Sequence, residues 1–92
     1  MSGVSAVVLI KAETPLINEL AEQLVELAGV AEVFSVAGQY DLVALVRVRE
    51  NEELADVISN RMRKLKGVLE TQTLIAFRVY TKAELSGAFE MD

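Results

Sequence analysis

The residues with the most chemical potential lie in one short stretch, Gly38-Gln39-Tyr40-Asp41. Taken alone it reads as a hairpin turn: Gly38 supplies backbone angles that other residues avoid, and Asp41 caps the turn. Tyr40 reads equally well as a core residue with its hydroxyl at the rim. Thr71 and Thr73 stand two apart on a strand, so both hydroxyls share a face. They could contact a ligand, although threonine is also simply a good strand former. A basic group, Arg61, Arg63, Lys64 and Lys66, invites comparison with a nucleic-acid surface. At the C-terminal end of a helix the same cations complement the dipole and pair with nearby acids, and that is the stronger reading. Glu52, Glu53 and Asp56 suggest a carboxylate metal site until they are placed in a first helical turn, where the dipole favours negative charge. There is no glycine-rich phosphate loop, nucleophile–base pair or metal-ligand spacing, and no cofactor is expected.

Composition narrows the chemistry further. The 92 residues make one small domain, 52% apolar, with a formal net charge of −5 and neither cysteine nor histidine. The missing cysteines exclude a disulfide scaffold, a thiolate metal site and a thiol nucleophile. The missing histidines remove the commonest general base and metal ligand. The acidic balance argues against direct binding to phosphate backbones. The apolar run from Val4 to Ile10 has no basic residue ahead of it and reads as a strand rather than a signal peptide. No stretch approaches the roughly 20 apolar residues that span a bilayer. A cytoplasmic assembly or binding module is the expectation, with no membrane partner.

The elements that must position these residues follow from periodicity. Residues 4–11 are β-branched and read as a first strand. Thr14-Pro15 looks like an N-cap followed by proline at the first helical position, opening a helix to about Ala28. Leu16, Ile17, Leu20, Leu24, Leu27 and Ala28 recur along it at helical spacing. Gly29 stops it. A second strand is expected from Val30 to Ala37 and a third from Tyr40 to Arg49, joined at Gly38-Gln39. Asn51 is placed as the N-cap of a second helix, with Leu54, Ile58, Met62 and Leu65 as its stripe and Gly67 at its end. A fourth strand runs from Val68 to about Tyr80. Residues 1–80 thus form the domain, and residues 81–92 a C-terminal tail. Leu27-Ala28-Gly29-Val30 is echoed by Leu65-Lys66-Gly67-Val68. The order β-α-β-β-α-β with internal repetition predicts an α+β, ferredoxin-like fold: a four-stranded antiparallel sheet with both helices on one face.

A sheet wet on one side should alternate apolar and polar residues. These strands do not. Val7 and Leu9 oppose Val4, Ala6, Val8 and Ile10; Val43 and Leu45 oppose Leu42, Ala44, Val46 and Val48; Leu74 and Ala76 oppose Ile75, Phe77 and Val79. Two helices cover one face only. Each buried Leu or Val is worth about 1.5–3 kcal/mol, so the second face drives association, most simply into a symmetric dimer with sheets face to face. The tail, with Leu85, Ala88, Phe89 and Met91, offers little to cover it.

The ordered set of Gly38-Gln39-Tyr40-Asp41 and Gly67-Val68-Leu69-Glu70-Thr71-Gln72-Thr73, within this element order, resembles the effector-binding domain of the Lrp/AsnC regulators, also called the RAM domain. The resemblance covers roughly residues 4–80. It implies a dimer built through the sheets, assembly of dimers into a ring such as an octamer, and a small-molecule effector, typically an amino acid, bound between dimers. Gly38, Gln39, Tyr40, Asp41, Thr71 and Thr73 are then the ligand-binding candidates. Asp41 would accept from the ammonium, and Gly38 would let backbone N–H groups approach the carboxylate. Full-length members carry a helix-turn-helix domain ahead of the first strand. This chain begins at that strand, so it resembles stand-alone members acting on transcription through DNA-binding relatives, without direct nucleic-acid contact. Two other readings share the element order: a small dimeric α/β-barrel enzyme of monooxygenase or isomerase type, and a purely structural oligomerisation domain.

Overall fold

A computed structural model describes residues 3–82. Most of the expected C-terminal tail, residues 83–92, lies outside them. Strand β1 spans Val4–Ala12. A 3-10 turn, Thr14–Leu16, leads into helix α1, Ile17–Val25. Strands β2, Val30–Ser35, and β3, Leu42–Val48, follow. Helix α2 begins as Asn51–Ala55 and continues as a π-helical turn, Asp56–Arg61, and a 3-10 turn, Met62–Lys64. Strand β4 spans Val68–Ile75. The strands form one antiparallel sheet in the order β2-β3-β1-β4, as expected from the β-α-β-β-α-β pattern.

The helices cover one face. Ala6, Val8, Ile10 and Ala12 of β1 and Leu42, Ala44 and Val46 of β3 are buried against Leu20 and Leu24 of α1 and Leu54, Val57, Ile58 and Met62 of α2. The echo between the halves is real in three dimensions. Val30 N–H donates to Leu27 O at 3.1 Å, and Val68 N–H donates to Leu65 O at 3.3 Å. Gly29 and Gly67 take φ of 94° and 102° in these turns. A Cβ at Gly29 would also stand 3.0 Å from Val48 Cγ1, so the helix end and β3 approach too closely for a side chain.

Several boundaries differ from the sequence expectation. Helix α1 is shorter at both ends. Pro15 sits in a tighter 3-10 turn, Glu13 takes the cap position, and no side chain caps it. At the other end Glu26 and Leu27 donate three residues back, to Gln23 and Leu24, so the helix has already tightened before Gly29. Glu50, not Asn51, takes the cap position of α2. There Glu53 reaches back, its Oε1 accepting from Arg49 N–H at 2.7 Å, which satisfies a donor ahead of the helix as a capping side chain would. Strand β2 stops at Ser35, and β3 starts only at Leu42 because Tyr40 and Asp41 are drawn into the loop. Strand β4 ends at Ile75 rather than near Tyr80, because β1 begins at Val4 and the last backbone bond between them is Ala76 N–H to Ser5 O at 2.9 Å.

Register shows what the second face carries. Paired residues project to the same side of a sheet. Phe34, Val43, Leu9 and Gln72 form one row across the uncovered face, and Glu32, Leu45, Val7 and Leu74 the next. Six apolar side chains therefore share that face: Val7, Leu9, Val43 and Leu45 are half-buried by their neighbours, while Phe34 and Leu74 are exposed.

Candidate functional site

The loop between β2 and β3 is held by tertiary contacts rather than by its own turn alone. Val36 N–H donates to Asp41 O at 3.0 Å and closes the loop, and Asp41 N–H donates to Ile10 O at 2.9 Å. The Asp41 carboxylate is committed as well: its Oδ2 accepts from Ala12 N–H at 2.8 Å. Ala12 lies where the β1–β4 register shifts, between Lys11 and Ala12. The side chain thus supplies an acceptor at a bulge where the ladder is disturbed. Asp41 is a cap, as its turn reading had it, but it caps the neighbouring strand rather than its own turn. Among the described residues no second protein donor reaches this carboxylate, so Oδ1 remains free to accept.

Lys11 and Tyr40 complete the fastening. Lys11 Nζ donates to Gln39 O at 2.8 Å, and Tyr40 hydroxyl donates to Gln72 Oε1 at 2.8 Å. Since Gln72 pairs with Leu9 on the uncovered face, the half-buried Tyr40 reaches toward β4 at the rim of the apolar surface. Gly38 sits at the loop tip with φ of 143°, an angle that favours glycine, and an added Cβ would meet nothing within 4 Å. The constraint there is conformational, and the space around it is open.

Thr71 and Thr73 share a face, as their spacing requires, but it is the opposite face. They pair with Ile10 and Val8, whose side chains point into the helix-covered core. One protomer therefore gathers Gly38, Gln39, Tyr40 and Asp41 with Lys11 and Gln72, and holds both threonines on the other side of β4. Gln72 and Lys11 were not singled out from the sequence. The available signal for Gln72 was alternation: a residue between two threonines on a strand must face away from both.

Among the described residues, two of the three α2 acids, Glu53 and Asp56, and one of the four basic residues, Arg61, are drawn into ion pairs. Arg49 bridges Glu53 at 3.1 Å, and Arg61 bridges Asp56 at 3.1 Å. The Arg49 backbone N–H, followed by its guanidinium, holds the Glu53 carboxyl below the usual range. Asn60, followed by Arg61, does the same for Asp56. These groups line an open cleft of about 620 Å³ floored by Gly29, Val48 and Val57, at the opposite end of β3 from the Gly38–Asp41 loop. Among the described residues no group of three acidic residues could hold a metal ion, and no helix is long and apolar enough to cross a membrane. The space between sheet and helices is filled by side chains, with Val8, Ile10, Leu24, Leu42 and Met62 fully buried.

Comparison with known proteins shows the family and the fold. The family model for the Lrp/AsnC ligand binding domain matches residues 5–85. The HTH-type transcriptional regulator PH1916 of Pyrococcus horikoshii is 38% identical over 68 residues, which is 74% of this chain and 45% of that protein. The chain thus spans less than half the length of that regulator. The crystal structure of TTHA0845 from Thermus thermophilus matches with a TM-score of 0.81 at 48% identity, covering 86% of this chain and 99% of that one. A feast or famine regulatory protein from M. tuberculosis, complexed with L-methionine, matches with a TM-score of 0.71 at 28% identity, covering 86% of this chain and 54% of that one.

Proposed function

The chain belongs to the Lrp/AsnC ligand-binding-domain family, and from that premise we propose that it is an effector-binding and oligomerisation module whose ligand is an amino acid or a closely related metabolite. The observation that carries this reading is the Gly38–Asp41 loop, fastened to β1 and β4 at the rim of an apolar face while one Asp41 oxygen stays free to accept. The ligand ammonium meets that oxygen in a charge-assisted hydrogen bond. The ligand carboxylate meets backbone N–H groups at the open tip beside Gly38. Gln39 and Tyr40 flank it. Thr71 and Thr73, on the far side of the sheet, enter the same site only from a neighbouring subunit, which suits a pocket between dimers.

The apolar face pairs with its copy, and the dimers join into a larger ring, with an octamer as the expected size. Ligand binding shifts this assembly to the extent that its affinity differs between assembly states. The output is transcriptional, in the cytoplasm, through DNA-binding relatives. This reading is non-enzymatic, and what supports it over a dimeric α/β-barrel enzyme is that the relatives are transcriptional regulators. Support for the amino-acid class comes from the methionine complex of the mycobacterial relative.

The test is light scattering and thermal unfolding of the full chain with and without a panel of amino acids. A ligand at about 100 times its Kd should stabilise the protein by about 2.7 kcal/mol. Asp41→Asn keeps an oxygen for Ala12 N–H but removes the charge, so it should lose the ligand response and keep the fold. If no amino acid at millimolar concentration changes melting or assembly, the chain is a structural oligomerisation domain and this reading fails.

A further inference from the structure

The rim of the Gly38–Asp41 loop carries a cation whose obvious partner does not hold it. Lys11 stands directly across the ladder from Glu70 on the uncovered face, where opposite charges commonly pair. Here they do not. The Lys11 ammonium donates instead to Gln39 O at 2.8 Å, and among the described residues no carboxylate makes an ion pair with it. An ammonium has three N–H donors, so two remain. Gln72 lies on the same face, two residues beyond Glu70. Its Oε1 accepts from the Tyr40 hydroxyl at 2.8 Å, and its amide N–H groups have no protein partner among the described residues. Beside the free Asp41 oxygen, this corner of the rim therefore offers donors, one of them charged. The other cation of the face, Arg47, lies at its far end, opposite Ser5.

We propose that Lys11 reads the side chain of the effector, and that the effector is an amino acid with a side-chain carboxylate, the class of glutamate and aspartate. The inference rests on the effector reading above and narrows it. In that reading Asp41 meets the α-ammonium and backbone N–H groups beside Gly38 meet the α-carboxylate. An aliphatic side chain then gives Lys11 and Gln72 nothing to bind. A second carboxylate satisfies both: it accepts from the ammonium in a charge-assisted hydrogen bond and from the Gln72 amide. An apolar side chain in the same place would leave the ammonium short of acceptors once a neighbouring subunit closes the site. Glu70 competes for the same ammonium and repels an anionic ligand, so its neutralisation should tighten binding.

Calorimetry of the full chain tests this with L-glutamate and L-aspartate, each beside its own amide, and with the uncharged amino acids, all at matched ionic strength. Acid and amide are nearly isosteric, so their ratio isolates the charge. The better acidic ligand should bind about tenfold or more tighter than its amide. Lys11→Gln keeps a donor for Gln39 O and removes the charge. It should abolish that preference while the amide still binds. Lys11→Arg should retain the preference, and Glu70→Gln should enlarge it. Sedimentation of the same variants reports self-association. If no amino acid binds, the effector reading fails and the role of Lys11 with it. If an uncharged amino acid binds as tightly as the acids, the effector reading stands and the acidic class is overturned. Equal weakening of acid and amide by Lys11→Gln also overturns it, because the ammonium then serves the α-carboxylate or the loop. So does weakened self-association with the preference intact, because the ammonium then belongs to an acid of a second copy.

Discussion

One carboxylate oxygen of Asp41 is occupied by the Ala12 amide, and that fact reshapes how the residue should be tested. Asp41→Ala leaves a partly buried donor unmet at the bulge in β1 and should cost about 1–3 kcal/mol in denaturant unfolding. Any loss of ligand response in that variant would be confounded by the loss of stability. Tyr40→Phe separates the two roles. Its hydroxyl makes one exposed hydrogen bond to Gln72, so its removal should cost less than about 1 kcal/mol and lower ligand-dependent stabilisation, as thermal shifts with and without the amino acid would read. At this scale the sequence was partly legible. Gly38 is a turn residue for the reason its type suggests. The partner of Asp41, 29 positions away, and that of Tyr40, 32 away, are invisible without the fold because nothing local links them.

Helix α2 shows how an element is built from reach-back contacts rather than from a single cap residue. The Glu53 carboxylate holds the Arg49 backbone N–H, and Asp56 holds Asn60 and Arg61. The Asp56–Arg61 pair is five apart, a spacing the π-helical turn brings to one side. Both carboxyls titrate below their ordinary range. Their contribution is therefore fully present above the unfolded-state value, about pH 4, and is lost as pH falls through the lower folded-state value. Urea midpoints should drop on acidification below that point, and Glu53→Gln should flatten the dependence. The glycine turns give a second prediction. Gly29→Ala places a Cβ 3.0 Å from Val48 Cγ1 at positive φ, and unfolding should show a loss of about 1–3 kcal/mol. Apolar spacing located both helices and all four strands. It could not distinguish α from π winding, because Leu54, Ile58 and Met62 point inward in either.

At the scale of the whole molecule, the uncovered face is the feature on which the proposed pairing turns. Its six apolar side chains come from all four strands, and Leu45 lies near their middle. Leu45→Asp does not touch the helix-covered core, so the protomer should keep its circular dichroism. Introduced on both sides of a symmetric interface, the aspartate should weaken the dimer by at least about a hundredfold, seen as a monomer in sedimentation at micromolar concentration. A variant that unfolds instead would mean that this face stabilises the protomer itself.

What the sequence determined by itself was the set of elements, their order and the excess of apolar strand positions over what two helices can bury, since all three follow from local periods of 3.6 and 2. It also narrowed the chemistry, because a chain without cysteine or histidine has neither a thiol nor an imidazole to offer. Only the tertiary structure decided which of those residues meet. Register turned Gln72 toward Tyr40 and turned Thr71 and Thr73 away, and a bulge at Lys11 and Ala12 called the Asp41 side chain across to β1. Such meetings depend on long-range pairing, and a one-residue shift in pairing exchanges the two faces of a strand without changing a single local preference.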